Sequence, residues 1–344
     1  MGSPKTGIGR CLGTFGELLQ GTLPIERREF LVTLPITEGS TAEFTAVHGS
    51  KGVRVCPPYK EKSRRLAEEL MRLYSLDADG ELRIESELDE GKGFASSSAD
   101  MVATARAIEA AFGFRIPRHS LARSMSAIEP SDGVMYEGII SFHQREGVVH
   151  SRLGTVPSLT IVALDEGGRT ATTELCRDRG FHSASRLAEY ERLLLELGCA
   201  LKRRDLPSVG DVATRSALLN QDVLPKEHLE LFLDLRARYD ALGMVAAHSG
   251  TCLGLLFDPR SLRHPDVLPE LVGELLALQC PGVRVYRTYG FEHQTTTEMM
   301  GEVGTDGDER VGISGLPGCG LHRPSESRHG EDFAGWSRSC RSRG

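Results

Sequence analysis

Apolar residues recur along this chain in two rhythms, and the rhythm changes near residue 165. Before that point FLVTLPI at Phe30, TAEFTAV at Thr41 and ELRIES at Glu81 read as short β-strands, and GIISF at Gly138 and LTIVAL at Leu159 add two more. Leu66, Leu70 and Leu73 share a helical face between them. Met101, Ala105, Ile108 and Phe112 mark a second helix that Gly113 can stop, and a third ends near Ile128. Beyond residue 165 helices dominate: one through Leu187, Tyr190, Leu194 and Leu197, another over Val212 to Leu219, and a third through Leu229, Phe232 and Leu233. CLGLLF at Cys252 and VRVYR at Val283 are strand-like, with a helix around Leu268 to Leu278 between them. A β-rich half followed by a mixed half predicts an α+β protein with packed layers around a cleft, divided as residues 1–165 and 166–298. From 299 to 344 glycine and scattered charge replace periodicity, which predicts a disordered tail holding the lone Trp336.

Early in the chain, Gly7 to Gly13 reads GIGRCLG, close to the dinucleotide pattern GxGxxG. Its last glycine falls one place late and no hydrophobic strand leads into it, so these glycines are read as turn residues.

Composition narrows the function classes. The 344 residues carry a net charge of −7, so no basic surplus draws the chain to nucleic acid or anionic lipid. Its eight cysteines form no CxxC pair and no cysteine–histidine cluster at zinc spacing, which reads as free thiols in a reducing compartment. With no apolar leader at the N-terminus and no apolar run near the length of a membrane span, the expectation is a cytoplasmic protein without a membrane partner.

The stretch Gly91 to Asp100, GKGFASSSAD, carries the clearest chemistry. Small residues run directly into an amphipathic helix, whose free backbone amides and positive dipole end attract phosphate. Ser97 is predicted to cap the first turn, with Asp100 three residues later completing a capping box. Ser96, Ser97 and Ser98 add hydroxyl donors and a Mg²⁺ ligand. Taken alone, the stretch is equally a serine-rich loop with an ordinary helix cap. It is not a Walker loop, because Lys92 precedes the second glycine instead of following it.

Gly93 to Ala99, GFASSSA, resembles the phosphate loop of the GHMP kinases, whose usual form is a proline, three residues and GLGSSAA. GTFGELLQG at Gly13 to Gly21 and GMVAAHSGTCLGLLF at Gly243 to Phe257 match that superfamily in the expected order. Within it, the wording most resembles the L-threonine kinases of cobalamin side-chain synthesis. GTFGELLQG, GKGFASSSAD, IEPSDGVMY at Ile128 to Tyr136 and AHSGT at Ala247 to Thr251 carry this narrower match, and the resemblance spans roughly residues 10 to 295. There are three departures. Asp89 stands where the proline is expected, Ala95 replaces the middle glycine, and the lysine that many members carry in the first motif is missing, with Cys11 and Thr14 nearby. An alanine with negative φ allows close approach, and ATP binding is expected on that basis.

The resemblance implies a two-domain α+β GHMP kinase-like fold. Its N-terminal domain would be β-rich with a left-handed βαβ unit, and its C-terminal domain ferredoxin-like. It further implies ATP and Mg²⁺ as cofactors and L-threonine as the small-molecule partner, phosphorylated to O-phospho-L-threonine. Homoserine or another small alcohol is an alternative acceptor, a catalytically lapsed metabolite-binding relative is a second alternative, and a homodimer is left open.

Phosphoryl transfer asks the protein to place an acceptor hydroxyl, neutralise phosphate charge and accept a proton. Asp132 in EPSDGVMY is the candidate catalytic base, since the resemblance places the base on such a turn; the residues alone favour an Asx-type turn before Gly133. Glu129 with Ser97 is the candidate Mg²⁺ pair, because Mg²⁺ takes one or two protein oxygens. The short spacing leaves the roles of Glu129 and Asp132 exchangeable. Lys92, Gly93, Phe94, Ala95, Ser96, Ser97 and Ser98 are the candidate nucleotide contacts. Glu17 could pair with a substrate ammonium and Gln20 with a carboxylate or hydroxyl. His248 and Ser249 complete the candidate substrate set, with a buried, satisfied His248 as the competing reading.

Overall fold

The computed structural model describes residues 5–25, 27–47, 52–76, 79–168, 183–263 and 266–290. The tail read from residue 299 onward lies outside the described residues. Ten strands are described: β1 Thr6–Thr22, β2 Glu29–Val47, β3 Val53–Cys56, β4 Asp79–Ser86, β5 Ile139–His143, β6 Val148–Gly154, β7 Thr160–Asp165, β8 Gly243–Ala246, β9 Cys252–Phe257 and β10 Gly282–Arg287. The helices are α1 Glu61–Leu73, α2 Ser96–Phe112, α3 Arg118–Ile128, α4 Ala184–Arg203, α5 Leu206–Asn220, α6 Leu229–Arg238 and α7 Val267–Leu276.

The strands join one sheet in the order β10-β7-β9-β8-β1-β2-β4-β3, with β5 pairing β2 and β6 pairing β5. Pairing is antiparallel except between β3 and β4, which run parallel and enclose α1 as a βαβ unit. The α+β character read from the two rhythms is observed. Strands β7, β8 and β9 are buried on both faces, which is why their sequences are continuous apolar runs. Val162, Leu164, Leu253 and Leu255 pack with Phe232 and Leu235 of α6 and Leu271 and Leu275 of α7. Ile161, Ala163 and Leu256 face the larger cluster built around β1, β2 and α2.

The early glycines are corrected by the structure. GIGRCLG is no turn but the first half of β1, a strand in the middle of the sheet. A Cβ on Gly7 would meet the α2 backbone at Ala107 and Ala111, and one on Gly9 would meet it at Ala103 and Ala107. Glycine here lets an alanine-faced helix lie directly on a strand, so a packing requirement looks in sequence like a turn signal.

Where β1 passes the phosphate loop, its register with β2 shifts between Leu12 and Thr14, between Thr14 and Glu17, and between Glu17 and Leu19. Bulges of this kind release backbone groups from the ladder. The freed amides are used: Thr14 N–H donates to Phe94 O at 3.1 Å and Gly16 N–H to Gly93 O at 3.0 Å.

Candidate active site

Three of the sequence motifs meet at the start of α2. The bulge of β1 holds two loop carbonyls from one side. From another, a Cβ on Gly250 would run into the backbone of Lys92 and Gly93, and one on Gly93 into Ala247, so the turn after β8 lies backbone against backbone on the loop. Lys226, between α5 and α6, is buried and donates its ammonium to Gly250 O. Gln221 clamps the Lys226 main chain, with its Oε1 accepting the Lys226 N–H at 2.7 Å and its Nε2 donating to Lys226 O at 3.2 Å. Burial pushes the Lys226 ammonium below its usual pKa, while the nearby Glu166, Glu17 and Asp165 oppose that shift.

The expected capping box is absent. Ala95 occupies the N-cap of α2 and Ser97 lies inside the first turn, so no side chain caps the free amides. Asp100 is buried instead, accepting from Ser40 Oγ at 2.5 Å and pairing with Lys60 at 2.6 Å. Nor does Ala95 have negative φ: it sits in the left-handed region at φ 53°, a conformation disfavoured for a residue with a Cβ. The loop keeps the backbone shape that a glycine would take and leaves first-turn amides available to an anion. Phe94 turns its ring into the core, 5.5 Å from Phe15 and 5.2 Å from Tyr286 between centroids, so only its backbone borders the loop surface. Asp89, at the expected proline, is ion-paired with Arg284 at 3.2 Å.

Two serines of the loop hold different carboxylates. Ser98 Oγ donates to Asp132 Oδ2 at 3.1 Å and accepts the Asp132 N–H at 2.9 Å. Ser97 Oγ donates to Glu129 Oε1, and Lys62 of α1 donates to Glu129 Oε2. Ser96 is buried. Glu129 and Asp132 therefore stand side by side over the first turn of α2, joined to it through different hydroxyls. Asp132 is held up to about 7 by burial, with the Glu17 and Glu129 carboxylates adding to the rise and the Ser98 hydrogen bond opposing it. A carboxyl poised near neutral pH is suited to taking a proton.

Glu17 is buried beneath this group, where Oε2 accepts the His248 backbone N–H at 2.8 Å and lies 3.2 Å from His248 Nδ1. The His248 ring is enclosed: Nε2 lies 3.0 Å from Ser216 Oγ and Nδ1 3.0 Å from Ala246 O. Of the two readings of His248, the buried and satisfied one is observed. Ser249 is half-buried in the same turn. Gln20 is buried farther along β1, its backbone N–H donating to Ser216 Oγ at 3.3 Å. Lys92 pairs with Asp165 at 2.7 Å and donates to Gly168 O at 2.8 Å. Thr251 Oγ1 donates to the same Asp165 at 2.6 Å, so one carboxylate ties the phosphate loop to the turn after β8.

Lys62, Lys226, Asp165 and Ser216 went unmarked in the sequence. Nothing local distinguishes them, because each acts on a motif far away in the chain. Glu129 and Ser97 offer hard oxygen donors in mutual contact, and a cation, the Lys62 ammonium, already sits on the carboxylate. That donor set fits a small divalent cation such as Mg²⁺.

Known proteins resemble this chain in sequence and in fold. Residues 62–138, which hold α1, the phosphate loop, α2, α3 and the Glu129–Asp132 turn, match the GHMP kinases N terminal domain. The chain is 28% identical to an L-threonine kinase of Citrobacter freundii over 254 residues, covering 73% of this chain and 86% of that protein. It is also 28% identical to an L-threonine kinase of Salmonella typhimurium over 278 residues, covering 78% and 87%. Its fold is similar to that of a homoserine kinase from Cytophaga hutchinsonii, with a TM-score of 0.64 and 12% identity over 84% of this chain and 96% of that one. At that identity the likeness speaks for the fold alone. The motif resemblance is thus met by fold and by sequence: the fold is similar to that of a homoserine kinase, and residues 62–138 match the GHMP kinases N terminal domain.

Proposed function

We propose that this protein is an ATP- and Mg²⁺-dependent small-molecule kinase that phosphorylates the side-chain hydroxyl of L-threonine, giving O-phospho-L-threonine for the aminopropanol linker of cobalamin. The observation that carries the kinase reading is Asp132, bonded twice to Ser98 in the uncapped first turn of a helix, with Glu129 and Ser97 beside it. Its likeness to two L-threonine kinases supports threonine as the acceptor. Among the described residues no helix is long and apolar enough to cross a membrane, which accords with the proposed cytoplasmic setting. A division of the chain near residue 165 remains part of the same proposal.

In this reading the first-turn amides of α2, with the Ser96 hydroxyl, receive the phosphates. Glu129 and Ser97 would hold Mg²⁺, which when bound supplies neutralisation of phosphate charge. Asp132 takes the proton from the acceptor hydroxyl as the new oxygen–phosphorus bond forms and the bond to the ADP oxygen breaks. Ser98 fixes the carboxylate during that transfer. Glu17, held by His248, keeps Asp132 basic enough to accept a proton near neutral pH.

The test offers L-threonine, L-serine and L-homoserine with ATP and Mg²⁺, and identifies the phosphorylated product by ³¹P NMR and mass spectrometry. Preference for threonine is the expected result. Preference for homoserine would overturn the acceptor and leave the kinase reading standing.

A further inference from the structure

We propose that Lys62 is an exchangeable counter-cation of the metal-binding carboxylate: it cedes Glu129 to the divalent ion and then meets the polyphosphate that the ion accompanies. The inference rests on the kinase reading of the same site and adds a residue to it.

The two partners of this ion pair differ in freedom. The Glu129 side chain is 7% exposed and that of Lys62 is 48% exposed, so the carboxylate is fixed and the ammonium can leave. Both Glu129 oxygens are engaged, one by Ser97 and one by Lys62. A divalent cation that takes this carboxylate into its inner sphere competes with Lys62 for Oε2. The helix itself need not move in the exchange. Two residues earlier, Lys60 is 7% exposed and pinned by Asp100 at 2.6 Å and Glu90 at 2.7 Å, which anchors the start of α1 against α2. Lys62 thus hangs from a fixed backbone on a long flexible stem.

Ion pairs with an exposed partner are weak, so the exchange costs little. Its endpoint follows from coordination geometry. Ligand oxygens on one Mg²⁺, each at about 2.0–2.1 Å, stand roughly 3–4 Å apart, so phosphate oxygens on a shared ion lie within a small swing of the ammonium. An ordinary tie between α1 and the turn at Glu129 would have neither a metal nor a nucleotide consequence.

The experiment compares the wild-type chain with Lys62→Met and Lys62→Arg, using Mn²⁺ detected by EPR and a non-hydrolysable ATP analogue titrated by calorimetry at saturating Mn²⁺. Lys62→Met is expected to bind Mn²⁺ about fivefold more tightly without nucleotide, because the competing cation is gone. The same variant is expected to bind the analogue about tenfold more weakly, because a charge-assisted phosphate contact is lost. Lys62→Arg should fall between the two proteins on both measures. Thermal melting confirms that the variants are folded, and the half-exposed position makes loss of folding unexpected. Unchanged or weaker Mn²⁺ binding in folded Lys62→Met, or unchanged analogue affinity, would overturn the proposal even where the wild-type protein turns over ATP. Wild-type Mn²⁺ binding that survives Glu129→Gln would overturn it together with the metal assignment, whereas turnover with none of the amino acids would remove only the acceptor reading.

Discussion

Ser98 and Asp132 hold each other through two hydrogen bonds, one to the carboxylate Oδ2 at 3.1 Å and one from the Asp132 backbone N–H at 2.9 Å. A side chain inside the helix that begins at Ser96 therefore fixes the position of the candidate base and opposes the rise in proton affinity that burial imposes on it. Replacing Asp132 by Asn keeps the shape and removes the proton acceptor. Steady-state kinetics should show kcat reduced by about 10²- to 10⁴-fold, the usual worth of a general base, with affinity for the ATP analogue retained.

The pH dependence follows from the same carboxyl. Activity as a base requires the ionised form, so kcat/KM should rise through a limb near pH 7, where Asp132 is held at about 7 by burial and the Glu17 charge. Glu17→Gln removes a like charge and should move that limb to lower pH. Ser98→Ala removes a hydrogen bond that favours the ionised form and should move it to higher pH. Shifts of the same sign in both variants would contradict this electrostatic account.

Stability responds in the opposite sense. The folded Asp132 binds its proton more tightly than an ordinary carboxyl, so its contribution favours folding at low pH and is lost as pH rises from about 4, the unperturbed value, through about 7. Asp132→Asn should melt at a higher temperature than wild type above pH 7. The difference should vanish below about pH 4, where the wild-type carboxyl is protonated in both folded and unfolded chains.

Ala95 stores backbone strain at φ 53°. Ala95→Gly should relieve roughly 1 kcal/mol of it. In a chain of this size that raises the melting temperature by about 1–2 °C, while the loop keeps its conformation and its nucleotide affinity.

The buried Asp100–Lys60 pair should carry a large penalty when broken. Asp100→Ala leaves an ammonium buried without its main partner and should destabilise by about 3–5 kcal/mol in chemical unfolding. The double variant with Lys60→Met should recover much of that loss, because the charge then left without its partner, Glu90, is 40% exposed.

Most of the elements were legible because burial leaves a period in the sequence. β7 and β9 are continuous apolar runs, and Leu66 and Leu70 lie on the buried face of α1 as their spacing suggests, although Leu73 stays half exposed. β1 was the main loss. Its glycines carry no side-chain pattern, because what they satisfy is the approach of the α2 backbone. The capping box failed for a related reason: α2 begins at Ser96, which places Ser97 and Asp100 inside the helix, where they bond to Glu129 and to Lys60 and Ser40.

For function, the local order of residues marked GKGFASSSAD as a candidate phosphate-binding helix start, with an ordinary capped loop as the equal alternative, and it was the family resemblance that singled out Asp132, Glu129, Glu17 and His248. Short-range spacing carries such information because loop shape and helix polarity are local properties. The pairings lay beyond its reach. Which carboxylate faces which serine, that His248 braces Glu17 instead of meeting solvent, and that Lys62 and Lys226 enter the site at all depend on contacts between segments tens to hundreds of residues apart. Those contacts exist only once β1, α2 and the turn after β8 pack backbone against backbone, and it is that packing, with the burial it brings, that lifts the proton affinity of Asp132.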